Sequence, residues 1–331
     1  MPKRSPAEQL DLAISAMLAF PRQRPVPRPS ANVAKLLTLV RPLRDLPRPE
    51  FKASLQRELH RRAFMNNMTA ASAVAAKVPA FRRDNFPNIA PYFLVKNASQ
   101  FIDFLVAAFA GTELIRVPRP GGSIMHAAVA IGDSVIELAD AGEEYPQRSM
   151  TTHLYVPDAD ATYAAALEAG ASPVHAPTDD HPSGDRWGEA KDAFGNTWYI
   201  ATPREWVLDV PGGARSVQPY LHVRAAHKLI PFLESAFSAK AMGVHTSPEG
   251  AVLHATMEIA GATLEIDEAR GEPQQSYLHV YVPDTDALYA QSVAAGGKGI
   301  TPPYTAPYGD RSATIADPFG NTWFLATYLG R

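Results

Sequence analysis

Between residues 89 and 201 short apolar or alternating runs are broken twice by a longer stretch with helical spacing. Pro91–Val95 predicts a first strand, followed by an amphipathic helix that carries Phe101, Phe104, Leu105 and Phe109 on one stripe. Strand-like runs follow at 112–118, 123–131 and 134–139. The order then begins again with a strand at 152–156, a helix from about Asp158 to Ala169, and three strands ending at Ala201. Asp158 and Asp160 stand where an N-cap and a first-turn acid belong, and Gly170 is a stop signal. The pattern reads as βαβββ-βαβββ.

The whole pattern is then copied. "IMHAAVAIGDSVIEL" (124–138) matches "VLHATMEIAGATLEI" (252–266), so His126 falls on His254 and Glu137 on Glu265. "HLYVPDAD" (153–160) matches "HVYVPDTD" (279–286), "GDR" recurs at 184–186 and 309–311, and "DAFGNTWYIAT" (192–202) returns as "DPFGNTWFLAT" (317–327). The offset stays between 125 and 128, which marks a duplication of about 115 residues. In the closing motif an Asp that can bind turn amides precedes Gly-Asn, a pair tolerant of positive φ, and predicts a tight hairpin. Trp198 and Ile200 then share one strand face, Tyr199 and Ala201 the other.

Composition adds a third region. Residues 1–88 hold 16 Lys/Arg against 6 Asp/Glu, and the remainder 15 against 28. The expected domains are a basic helical segment at 1–68, a linker at 69–88, one repeat at 89–203, a linker at 204–215 and a second repeat at 216–331. Ser5-Pro-Ala-Glu8 is a capping box ahead of a first basic helix, "FPRQRPVPRP" (20–29) is extended, and further helices follow Ser30 and Pro49. The basic charge suits the acidic repeats as its partner better than nucleic acid, for which no reading motif is present. The chain has no cysteine, which excludes disulfides, thiolate metal sites and thiol nucleophiles. No apolar run approaches a membrane span, and a cytoplasmic location is expected.

In this order, "PYFLV…IDFL", "IMHAAVAIGDSVIEL", "HLYVPDAD", "GDR" and "DAFGNTW" resemble the vicinal oxygen chelate superfamily. That superfamily includes glyoxalase I, bleomycin-resistance proteins, fosfomycin-resistance enzymes and extradiol dioxygenases, and the similarity is nearest to its PhnB-like branch. The resemblance implies an α+β fold of two tandem glyoxalase-like domains, each of paired βαβββ units curled into a cup. It further implies one divalent ion per cup (Zn, Ni, Mn or Fe), or none where members only bind. By motif position the implied ligands are Glu137 and His153 in the first repeat and Glu265 and His279 in the second, with Glu137 and Glu265 as the catalytic carboxylates. Of the other two ligand positions, the first repeat offers Ala90, Pro91 or Tyr92 on its opening strand and Tyr199 on its last, and the second repeat Tyr220 and Phe324, so each cup has two usual donors of four.

The residues leave several readings open. Glu137 and His153 suit a pocket or a pair bonded to each other across its mouth. His126 and His254 read as sheet residues bonded to neighbours, with His222 a further possible donor. Asp185-Arg186 and Asp310-Arg311 read as salt bridges anchoring a loop, and Trp198 and Trp323 as core. Tyr92, Tyr155, Tyr199, Tyr220, Tyr281 and Phe324 are the expected walls of a small-molecule site. Function divides three ways: a metal-dependent lyase, isomerase or transferase for a substrate with adjacent oxygens, a non-catalytic binder of a small molecule, or a ligand-regulated protein that engages a partner through its basic helices. Four units suffice to close two cups in one chain, so a monomer or a homodimer is expected.

Overall fold

The structure, a computed structural model, describes residue 82 and residues 86–181, 183–204 and 216–330. The readings made for residues 1–68 and the linkers at 69–88 and 204–215 lie wholly or largely outside the described residues. Four βαβββ units follow in order. The first is β1 (Ile89–Val95), α1 (Ala98–Phe109), β2 (Thr112–Pro118), β3 (Ile124–Ile131) and β4 (Ser134–Asp140). The second is β5 (Thr151–Tyr155), α2 (Ala159–Glu168), β6 (Ser172–Thr178), β7 (Arg186–Lys191) and β8 (Thr197–Thr202). The third is β9 (Val217–Val223), α3 (Ala226–Phe237), β10 (Lys240–Thr246), β11 (Val252–Ile259) and β12 (Ala262–Glu268). The fourth is β13 (Tyr277–Tyr281), α4 (Thr285–Ala294), β14 (Lys298–Thr305), β15 (Asp310–Ala316) and β16 (Thr322–Tyr328).

Local chemistry explains the element ends. Asp158 and Asp284 accept from the amides of Ala161 and Ala287 at 3.0 Å each, capping α2 and α4. Gly170, at φ +101°, then turns the chain out of α2. In the repeated hairpin Asp192 accepts from the amides of Phe194 and Asn196, from the Asn196 side chain and, at 2.9 Å, from Trp198 Nε1. Asp317 makes the same four bonds to Phe319, Asn321 and Trp323. One buried acid per hairpin thus fixes both the turn and the tryptophan behind it, while Gly195 and Gly320 supply the φ of +92° that the turn requires.

Those tryptophans decide how the units join. Trp198 is fully buried against Phe93, Phe104 and Phe109, with ring centroids 5.7, 6.4 and 4.6 Å away. The helical faces of units one and two are thereby sealed into one core, and Trp323 with Phe237, 4.5 Å apart, does the same for units three and four. Each repeat therefore owns a hydrophobic core, as two tandem domains require.

The open faces join differently. Two eight-stranded sheets run β14-β15-β16-β13-β1-β4-β3-β2 and β10-β11-β12-β9-β5-β8-β7-β6. Each combines one unit from each repeat. β1 lies antiparallel to β13 with Ala90 opposite His279, and β5 lies antiparallel to β9 with His153 opposite Gln218. The expected α+β fold of paired βαβββ units is present, but a cup pairs unit one with unit four, or unit two with unit three. The expectation that each repeat closes its own cup is corrected by this pairing. With the helical sides of neighbouring units glued together, their other faces diverge and each finds its partner in the opposite repeat.

Candidate functional site: two crossed cups

The pairing of acid and imidazole is crossed as well. Glu137 on β4 and His153 on β5, expected in one cup, lie in different sheets, as do Glu265 and His279. Glu137 instead accepts from His279 Nδ1 at 2.5 Å through Oε2 and from the Tyr281 hydroxyl at 3.2 Å through Oε1. The other cup repeats this with Glu265, which accepts from His153 Nδ1 at 2.9 Å and from the Tyr155 hydroxyl at 3.1 Å. We call them the Glu137 cup and the Glu265 cup.

Period-two alternation brings each set to one face. Tyr92 is opposite Glu137 across β1 and β4, and Tyr220 is opposite Glu265 across β9 and β12. Both carboxylates are buried, at 0% and 3% exposure, which alone would raise them. Against that burial, the charge and hydrogen bond of His279, the charge of His126 and the bond from Tyr281 bring Glu137 below its ordinary range. Burial is outweighed more strongly at Glu265, where both His153 and His254 act, and its carboxyl lies far below the ordinary range. Burial first, then the nearby Glu137, holds the Tyr92 hydroxyl above the usual phenol range. Burial likewise raises Tyr155, Tyr199 and Tyr220, so all four present protonated hydroxyls at neutral pH.

Several residues weighed from sequence do face the cups. The Tyr92 hydroxyl is 3.3 Å from His126 Nδ1, and His254 Nε2 is 3.8 Å from Glu265. His222 Nδ1 bonds Asp267, which also accepts from the Tyr220 hydroxyl at 3.4 Å. Phe324 lies 5.1 Å from Tyr92 and 5.4 Å from Tyr145, and Tyr199 lies 5.6 Å from Tyr220. Tyr155 and Tyr281 serve the carboxylates, and the Tyr281 ring is buried beside Phe86. Trp198 and Trp323 are core. The two "GDR" arginines form salt bridges, but with other acids than their neighbours and between a strand and a helix rather than within a loop: Arg186 on β7 forks onto Asp160 of α2 at 2.5 and 2.6 Å, and Arg311 on β15 onto Asp286 of α4 at 2.7 and 2.6 Å.

The sequence reading did not single out Trp187, Glu189, Asp267, His175, Tyr145 or Tyr277. The signal was available: in "RWGEAK" alternation places Trp187 and Glu189 on one face, and in "LEIDE" it does so for Glu265 and Asp267.

The donor set does not fit a catalytic divalent ion. Among the described residues no group of three His, Asp or Glu side chains converges as a metal shell would need, and Phe324 and Tyr199 stand at the fourth ligand positions. Both oxygens of each glutamate already accept from protein donors.

Comparison with solved structures places the fold. Maize glyoxalase I superposes with a TM-score of 0.58 at 16% identity, over 72% of this chain and 92% of that one. A putative dioxygenase from Bacillus subtilis gives 0.51 at 14% identity, over 78% and 87%. In sequence, an uncharacterised protein of Mycobacterium tuberculosis and one of Mycobacterium bovis are each 38% identical over 144 residues, 40% of this chain but 84% and 94% of theirs. The model of the "Glyoxalase/Bleomycin resistance protein/Dioxygenase superfamily" matches residues 89–200 and again 220–325, and this chain belongs to that superfamily.

Proposed function

We propose that the chain is a small-molecule-binding member of the superfamily that uses its two cups without a catalytic metal. The observation that carries this reading is the use of both oxygens of Glu137 and of Glu265 by an imidazole and a phenol of the opposite unit. A divalent ion would have to break charge-assisted bonds at a buried carboxylate, and among the described residues no group of three His, Asp or Glu side chains is arranged to hold it. Aromatic rings with a few fixed polar groups are what a compact organic guest requires. Protein purified without chelators is expected to carry far less than one Zn, Ni, Mn or Fe per cup, and to bind members of a panel of small aromatic compounds by calorimetry. A stoichiometric divalent ion that is lost in both Glu137→Ala and Glu265→Ala would overturn the reading.

A second reading rests on a separate observation. His279 and His153 bond the glutamates through Nδ1, and neither Nε2 bonds a described residue. A carboxylate-oriented imidazole of this kind is a general base, with the glutamate as its positioning residue. Each cup would then be a metal-free proton-transfer site. Loss of carbon-bound protons from dihydroxyacetone in D2O, followed by NMR, is expected if so, and a rate unchanged by His279→Gln plus His153→Gln would remove it.

A further inference from the structure

We infer that the Glu265 cup holds a cation-receiving cage, formed by Glu189 with the rings of Trp187, Tyr199 and Tyr220, which the Glu137 cup lacks. This rests on the small-molecule reading above and names the ligand chemistry of one cup. Trp187 and Glu189 stand two residues apart on one face of β7, and Glu189 is directly opposite Tyr199 on β8. The Tyr199 ring is 6.2 Å from Trp187 at an interplanar angle of 83°, and 5.6 Å from Tyr220 at 72°. These separations and angles match adjacent walls of a box of rings, the arrangement that attracts an organic cation.

The carboxylate is free to contribute. Glu265 and Asp267 are committed to His153 and His222, whereas Glu189 has no hydrogen bond or ion pair among the described residues. Burial holds its carboxyl above the ordinary range, and the charges acting on it are His222 and His175, with no Lys or Arg among them. His175 stacks on one face of Trp187, 4.7 Å away at 7°, His181 lies 5.3 Å from the same indole, and His222 lies 4.5 Å from Tyr220, so imidazoles back these rings. A half-buried acid beside aromatic rings favours a guest that brings its own positive charge but is too weakly hydrated to resist entry. Quaternary and substituted ammonium groups are that class; a small hydrated metal ion is not.

The matching positions of the other cup are Ser312 for Trp187, Thr314 for Glu189, Phe324 for Tyr199 and Tyr92 for Tyr220. Thr314 is buried and engaged by the Tyr145 hydroxyl, so that cup lacks the free acid, and of its further rings Tyr277 already carries the Arg148 guanidinium.

Calorimetric titration of the full chain with benzyltrimethylammonium tests this, with benzyl alcohol and benzoate as neutral and anionic controls. One saturable equivalent per chain is expected, bound at least about tenfold more tightly than benzyl alcohol. Glu189→Gln and, separately, Trp187→Leu should each weaken it about tenfold or more while leaving the far-UV circular dichroism unchanged. If the cation binds no better than benzyl alcohol, or is indifferent to Glu189→Gln, the cage is overturned while small-molecule binding stands. If benzoate binds best, the sign of the inference is wrong. If none of the three binds, the cage is overturned, and the panel of compounds above decides separately on binding.

Discussion

The two cups share a skeleton and differ in nearly everything laid over it. Each has a buried glutamate bridged to a histidine and a tyrosine of the opposite unit. Around that common element the Glu137 cup is lined by Leu94, Ala139, Thr314, Phe324, Tyr145 and Tyr277, with Arg148 packed 4.3 Å over the Tyr277 ring. Its counterpart has His222 for Leu94, Asp267 for Ala139, Glu189 for Thr314 and Tyr199 for Phe324. To that shared element one cup adds mainly aromatic and apolar side chains. The other is aromatic and ionisable. What stayed constant is the device that joins the units, and what changed is the surface a guest would meet.

That division can be broken or sharpened by experiment. The largest effect concerns the crossed pairing itself. With a protease site inserted between Arg204 and Ser216, cleavage is expected to leave the two fragments, of unequal length, eluting together as one particle at the intact size. Separation into a larger and a smaller species would show that each repeat closes alone. Next comes removal of the shared element. Glu137→Ala strips the carboxylate partner from His279 and removes its bond to the buried Tyr281 hydroxyl, so urea denaturation should show a loss of about 3–5 kcal/mol. Glu265→Ala is expected to cost less, because Tyr155 and His254 are partly exposed and water can replace the carboxylate.

A third test uses acid. Both carboxylates are lowered in the folded chain, so the unfolded chain takes up their protons first as the pH falls. Their stabilisation is fully present above the unfolded carboxyl range near pH 4.3 and is lost as the pH drops through the lower folded values. Glu265→Gln should therefore flatten the dependence of the urea midpoint on pH below about 4.3, more than Glu137→Gln does. The smallest effect has the opposite sign. Glu189 is raised, so its ionised form costs the folded state something at neutral pH, and Glu189→Gln should raise Tm by about a degree or two at pH 7. The gain should vanish below the unfolded range near pH 4.3, where both states carry the proton. A gain that persists in acid would assign it to packing instead.

Much of this was legible in the sequence, because it is local. Helix spacing in "FIDFL", the cap at Asp158 and the turn chemistry of "DAFGNTW" act within a few residues, and the elements lie within a residue or two of where those signals put them. The repeat offset revealed four units and drew attention to Glu137, His153, Glu265 and His279. Their partners were not legible. The choice between cis and crossed closure is made by Trp198 and Trp323 gluing two helical faces together, an interaction between elements about 100 residues apart that no spacing encodes. The same limit hid Glu189. In sequence it is one acid in a short polar run, and only the registers with Tyr199 and His175 reveal what surrounds it.

The exchange of strands between repeats also bears on how such a molecule can change over generations. A chain with one repeat, joined through the same edges, would need a twin to shut either hollow, and the twofold axis would make both hollows identical. Any substitution useful to one guest would be imposed on both. Once two copies are tethered in a single polypeptide the axis is only approximate, and each chamber can accumulate its own chemistry while the shared scaffold holds the pair together.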